Sequence, residues 1–212
     1  MLIGLNGKAK SGKDTSADII VNKYGFVKMS LADPLKRFCF EVFDFSEEQL
    51  WGASEHRNEL DMRYPIKDGY LSPRIVLQQL GTEWGREMYP DIWVNYAIKV
   101  AKALNSAYEN KDNLFYNGRD GLYTEFSGEC PYKGVIISDC RFKNELAGVR
   151  NEGGILIRVK RKASGIDGEL GNHVSEVEME DVPDSFFDFV IENDGSLQDL
   201  NLKIEKIMDK YT

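Results

Sequence analysis

The sequence predicts an α/β protein: a parallel sheet of roughly five strands flanked by helices. Three observations lead there. Short apolar runs at 2–5, 26–29, 133–139, 154–159 and 189–191 have the length and composition of buried strands. Segments of helical periodicity separate them, and that alternation gives a parallel sheet with crossover helices. A glycine-containing loop, Gly7-Lys8-Ala9-Lys10-Ser11-Gly12-Lys13-Asp14-Thr15, joins the first strand to the first helix.

The loop is the most informative stretch. Gly7 and Gly12 open backbone angles closed to other residues, so that successive amides can curl around an anion. The following helix start adds unpaired N–H groups and partial positive charge. Lys13 has the reach to follow charge on a transferring phosphate. The usual pattern places Ser or Thr directly after the lysine as a magnesium ligand. Here that place holds Asp14, and Thr15 is the next hydroxyl. Asp14 also reads simply as a first-turn acid that suits the helix dipole.

Length and composition set the bounds. The chain has 212 residues, 42% hydrophobic and 29% charged, which suits one domain, 1–212, with insertions. A net charge of −8 argues against a general binder of nucleic-acid polymers or acidic membranes. No apolar run reaches membrane-spanning length, and the first residues lack a signal-peptide layout. The cysteines, Cys39, Cys130 and Cys140, are odd in number and irregularly spaced, as expected of reduced thiols. A cytoplasmic location is expected.

In chain order, the first helix is expected from about 13 to 23, ending at Gly25. After the strand at 26–29, Asp33 is placed to cap a helix whose first position suits Pro34. Leu35, Phe38, Cys39, Val42 and Phe43 carry its apolar period. Lys36 and Arg37 lie on its polar side, solvated or near an acceptor phosphate. Residues 44–71 read as a surface insertion with one short helix. Ser72 and Pro73 start the next helix, with Ile75, Val76, Gln79, Leu80 and Trp84 in period. Arg74 and Gln78 share a face, and Gly81-Thr82 follow one turn on. That stripe can grip a nucleotide, or be an ordinary polar face. A helix from 91 to 104 carries Trp93, which reads either as a base-stacking surface or as packing. Residues 106–132 form a second insertion, with a hairpin across Asn117-Gly118.

The strand at 133–139 ends in Asp139, at the sheet edge where ligands bind. Arg141 and Glu145 follow as a site group, or alternatively as a helix cap with a paired arginine. Beyond the strand at 154–159, Lys160-Arg161-Lys162 and glycines 165, 168 and 171 read as a lid over about 160–175, or as a solvated loop. Asn193-Asp194-Gly195 turns the chain and Ser196 caps a last amphipathic helix.

Several of these segments coincide in order with one family. Ser11-Gly12-Lys13-Asp14-Thr15, Leu31-Ala32-Asp33-Pro34-Leu35-Lys36, Leu77-Gln78-Gln79-Leu80-Gly81-Thr82, Asp139-Cys140-Arg141 with Asn144-Glu145, His173-x-Ser175-Glu176 and Ile191-x-Asn193-Asp194-Gly195-Ser196-Leu197 carry it. The chain resembles the deoxynucleoside monophosphate kinases of tailed bacteriophages, a branch of the P-loop kinases. The resemblance implies a P-loop NTPase fold and transfer of the ATP γ-phosphate to a deoxynucleoside monophosphate with Mg²⁺. It implies small-molecule substrates, and suggests a homodimer. By the same resemblance, Lys10, Ser11, Gly12, Lys13, Asp14 and Thr15 would bind ATP, with Arg158, Lys160 and Arg161 as lid cations matched by position. Arg74, Gln78, Gly81, Thr82 and Trp93 would hold the acceptor, joined by Asp139, Arg141 and Glu145. Lys13, Asp14, Asp139 and Arg141 would act in catalysis, and Thr15 and Asp139 would face the metal. Two alternatives stay open: a P-loop kinase of another small acceptor such as dephospho-coenzyme A, and a nucleotide-binding protein without catalysis.

Overall fold

The computed structural model describes residues 1–162 and 182–211. The lid expected at 160–175 therefore lies outside the described residues beyond Lys162, as do His173, Ser175 and Glu176. In chain order the elements begin β1 (Leu2–Asn6), α1 (Lys13–Tyr24), β2 (Phe26–Met29), α2 (Asp33–Phe43), α3 (Glu47–Trp51), β3 (Asp61–Ile66), β4 (Gly69–Leu71) and α4 (Pro73–Gln78). They continue α5 (Ile92–Asn110), β5 (Phe115–Asn117), β6 (Gly121–Tyr123), β7 (Gly134–Ile137), α6 (Lys143–Asn151), β8 (Ile155–Lys160), β9 (Phe189–Glu192) and α7 (Leu197–Met208). The residues fall into two compact units. The first is Met1–Leu31, Val94–Asn117 and Leu122–Thr212; the second is Ala32–Trp93 with Gly118–Gly121.

The first unit is built on a parallel sheet in the order β2-β7-β1-β8-β9. All five strands expected from the apolar runs are there. β1 is central and every one of its residues is buried, which explains its unbroken apolar character. The chain enters β7 on one side of β1 and β8 on the other. The order thus reverses beside β1, where open α/β sheets form their ligand crevice. The core gathers Ile3, Leu5, Ile136 and Ile157 from one face of the sheet with Ile20, Ile204 and Met208 from the helices. Each such side chain contributes about 1.5–3 kcal/mol by leaving water. α1 stops at Gly25, whose φ of 72° is the left-handed exit that glycine adopts without strain. α5 runs on to Asn110, so the second insertion begins later than the sequence suggests. Its β5–β6 hairpin forms as expected.

The second unit has its own small core of Cys39, Phe45, Leu50 and Val76, packed by Phe43, Trp51, Tyr64 and Leu71. Here the sequence reading needs correction. Asp33 is not the cap of α2: Ala32 holds that place, and Asp33 is the first helical residue, buried and 4.0 Å from Lys36 Nζ. Of the apolar stripe, Leu35 and Cys39 are buried, while Phe38 and Val42 are exposed. The first insertion holds the antiparallel β3–β4 hairpin, missed because its residues are mostly exposed and Arg63, Asp61 and Pro65 hide any alternation. Ser72 does cap α4, accepting the Ile75 N–H, and Pro73 is its first residue. The helix then widens to π geometry over Gln79–Arg86. That change of pitch takes Trp84 out of the 3.6-residue phase and leaves it exposed.

All three cysteines are free, as expected, and all three are buried. Burial pushes the Cys39 thiol up to about 12 and raises that of Cys140 as well, so neither ionises near neutrality.

Candidate active site

The loop leaves β1 at the centre of the sheet and enters α1 at Lys13. Gly12 precedes the helix with φ 97° and, having no side chain, makes no capping bond. The first-turn N–H groups of α1 are left for an anion. Lys10 also adopts a left-handed angle, φ 64°, and is exposed. Ser11 is buried; its N–H donates to Lys8 O at 3.1 Å, and its hydroxyl has no partner. Among the loop residues expected to touch a nucleotide, Ser11 is therefore turned inward to hold the curl. Lys13 is mostly buried, with Nζ 3.0 Å from the exposed Asp14 carboxylate. Thr15 is exposed on the next position, while Ser16 is buried with its hydroxyl donating to Gly12 O.

At the end of β7, Asp139 is held on both oxygens. The Ser30 hydroxyl donates to Oδ2 at 2.8 Å and the Leu31 N–H to Oδ1 at 3.0 Å. β2 pairs with β7, which brings Ser30 beside that strand end. Glu145 is buried, and its Oε2 accepts the N–H of Arg141 at 2.7 Å and of Phe142 at 3.0 Å. Of the two readings of this group, the cap is the one seen for Glu145. It fixes the peptide that carries Arg141 at the start of α6.

The end of β8 differs from a row of lid cations. Strand alternation turns Arg158 inward, where it is 7% exposed. It donates to Asn6 Oδ1 at 3.0 Å, Val182 O at 2.7 Å and Asp184 Oδ1 at 2.9 Å, and lies 4.2 Å over the Phe187 ring. Its register partner on β1 is Asn6, whose Nδ2 donates to Cys140 O at 2.8 Å. A chain of buried hydrogen bonds thus ties the ends of β7, β1 and β8 directly beneath the loop. The resemblance gives Arg158 as a lid cation; in the structure its guanidinium forms this tie. Lys160 Nζ is bonded to Asp184, and Arg161 is exposed just beyond the strand.

The second unit holds the remaining candidates. Arg74 Nε donates to Asn58 Oδ1, and its Nη2 to the Ser54 hydroxyl at 3.0 Å and Ser54 O at 3.3 Å. Gln78 ends α4, while Gly81 and Thr82 lie in the π-helical turn, all three half-buried. Trp93 donates its indole N–H to Gly81 O at 2.8 Å, and a Cβ on Gly85 would come within 2.4 Å of its ring. The packing reading of Trp93 is the one these contacts favour.

Three residues that the sequence reading did not count among the site residues lie beside the loop and strand ends of the first unit: Asn6, Ser30 and Asn193. Asn193 is buried, with Nδ2 donating to Ser11 O at 2.9 Å. Its place in the Asn-Asp-Gly turn masked it as an ordinary turn residue.

The sequence model of deoxynucleotide monophosphate kinases matches residues 1–63, which include the loop and α2. A protein of Acanthamoeba polyphaga mimivirus assigned as a deoxynucleotide monophosphate kinase is 31% identical over 209 residues, covering 99% of this chain and 96% of that one. The deoxynucleotide monophosphate kinase of Enterobacteria phage T4 is 26% identical over 245 residues, covering 98% of each. Among solved structures, a dephospho-CoA kinase from Campylobacter jejuni aligns over 99% of this chain and 96% of that one, at 13% identity and a TM-score of 0.48. With the matching loop, strand ends and full-length likeness in hand, the chain belongs to the deoxynucleotide monophosphate kinase family.

Proposed function

We propose that this protein transfers the γ-phosphoryl group of ATP to the 5′-phosphate of deoxynucleoside monophosphates, giving ADP and the deoxynucleoside diphosphate. The observation that carries the reading is the loop at the head of α1. A left-handed Gly12 leaves the first-turn N–H groups uncapped beside a mostly buried Lys13, on the central strand of the sheet.

The chemistry asks the protein for placement and charge neutralisation. Loop amides cradle the phosphates, and Lys13 exchanges its Asp14 partner for phosphate oxygens. A desolvated ammonium follows the negative charge from donor to acceptor. Asp14 then serves to hold Lys13 in place before the nucleotide arrives. Mg²⁺, when bound, neutralises further charge on the triphosphate. Thr15 and Asp139 are oxygen donors of the type it takes. The described residues hold no group of three acidic, His or Cys ligands, and Mg²⁺ needs only one or two carboxylates beside substrate oxygens and water. Ser30 and Leu31 keep Asp139 aimed, and Glu145 keeps the Arg141 peptide in place. In the second unit, Arg74, Gln78, Gly81 and Thr82 are the acceptor candidates, with Arg74 fixed by Ser54 and Asn58. The partners in this reading are small molecules of the cytoplasm, that of a host cell if the gene is viral. Sedimentation reads whether the chain pairs as a homodimer.

A coupled assay of ADP release tests the reading with a panel of the four common deoxynucleoside monophosphates. Turnover that depends on at least one of them supports it. ATP binding without turnover on any of them would move the assignment to another acceptor, such as dephospho-coenzyme A, or to a binding protein.

A further inference from the structure

We propose that Asn193 is a positioning residue for the phosphate loop, acting from outside it through one amide group. Two contacts meet on the same atom. Asn193 Nδ2 donates to Ser11 O at 2.9 Å, and a Cβ built on Gly12 would lie 2.2 Å from that Nδ2. The amide therefore occupies the volume that a side chain at Gly12 would need. It grips the carbonyl of the peptide whose N–H belongs to Gly12, immediately before the helix start.

The rest of the turn holds Asn193 firmly. Its backbone N–H donates to Lys160 O at 2.7 Å, anchoring it to the end of β8. The next residue, Asp194, accepts from Lys162 N at 2.9 Å, and its carboxylate lies 3.3 Å from Lys162 Nζ. Three residues further, α7 begins behind a Ser196–Asp199 capping box and sends the buried Leu200 to within 3.8 Å of the same built Cβ. The bonds within the loop, Ser11 N–H to Lys8 O and the Ser16 N–H and hydroxyl to Gly12 O, flank this peptide without reaching its carbonyl. Ser11's hydroxyl has no partner, and Gly12 and Lys10 both sit at left-handed angles. A peptide that ends on a glycine has backbone freedom that must be removed before its neighbours can meet an anion. Asn193 removes it in advance. The consequence for catalysis rests on the kinase reading; the brace itself does not.

Two measurements keep those apart. Hydrogen exchange on the nucleotide-free protein reads the brace. Asn193→Ala is expected to speed exchange of the peptide covering 7–16 by at least tenfold, with the β1, β7 and β8 peptides unchanged. Binding of a non-hydrolysable ATP analogue and of a deoxynucleoside monophosphate, measured separately, reads the consequence. The expected result is about a tenfold weaker analogue and acceptor affinity within twofold. Asn193→Asp keeps the size but replaces the donor with a charged oxygen facing Ser11 O, and should weaken the analogue more than alanine does. Wild-type loop exchange in Asn193→Ala would overturn the proposal, as would parallel loss of both ligands or wild-type analogue affinity in Asn193→Asp. If Asn193→Ala does not fold, Asn193→Asp carries both measurements. Failure of both to fold would make Asn193 a folding residue and overturn it too. A wild-type protein that binds no analogue would sink the kinase reading while leaving the exchange result to judge the brace.

Discussion

Arg158 Nε donates to Asn6 Oδ1 at 3.0 Å, directly beneath the strand end that opens into the phosphate loop. The guanidinium also binds Val182 O and Asp184 and stacks on Phe187, so one side chain closes the floor of the site. Arg158→Ala leaves Asn6 Oδ1 and Val182 O buried without a donor. The expected cost is about 3 kcal/mol of unfolding free energy, read from urea denaturation. Arg158→Lys should recover less than half, because a single ammonium cannot meet three acceptors and a ring in that geometry.

The acid side of the stability profile should depend on Asp184. Hydrogen bonds from Lys160 and then Arg158 hold its carboxyl below the usual range. A group with a lowered folded pKa adds stability above its unfolded value, near 3.9, and loses it as pH falls through the folded value. Asp184→Asn should therefore be less stable than wild type at pH 7, and the gap should close below about pH 4. Denaturation midpoints across that range measure it; a gap of constant size would show that the ion pairs contribute nothing.

Glu145 separates a structural acid from a reacting one. Its Oε2 takes two backbone N–H groups at the start of α6. Glu145→Gln retains an acceptor oxygen and should keep turnover within about threefold, whereas Glu145→Ala should lose about 1–2 kcal/mol of stability. Thermal melts and steady-state rates on both variants check this. A Glu145→Gln enzyme that folds normally but is dead would return the residue to the chemistry.

Trp93 gives the matching test in the second unit. Its indole N–H goes to Gly81 O and its ring covers Gly85. Trp93→Phe should cost about 1 kcal/mol of stability from the lost bond. The acceptor KM should stay within twofold. A large rise in KM with unchanged stability would mark the ring as a base-stacking surface instead.

How much of this could be read from the residues alone follows from what each feature writes into the chain. Buried strands write unbroken apolar runs, and all five of the sheet were visible. Gly25 and Ser72–Pro73 write helix ends in local chemistry, and both held. The β3–β4 hairpin was invisible because it is mostly solvent-exposed and writes no period. The π-helical turn was invisible because its wider pitch breaks the phase that a helical reading counts on, which is why Trp84 looked like core. At the site, the loop declared itself through spacing. The residues that hold it did not: Asn6, Ser30 and Asn193 act through long-range hydrogen bonds, and a partner more than a hundred residues away leaves no local pattern. The same blindness made Arg158 look like a free cation, since the acceptors that claim it come from β1 and from the segment around Val182–Phe187.

The central claim is that Lys13 supplies charge to a transferring phosphate from a loop that holds its shape without it. Acceptor-dependent ADP release by Lys13→Ala, compared with wild type at matched folded fraction, tests that most directly. The account predicts a loss of turnover on the order of a thousandfold with an unchanged melting profile. Turnover within a few-fold of wild type in a folded Lys13→Ala protein would contradict it.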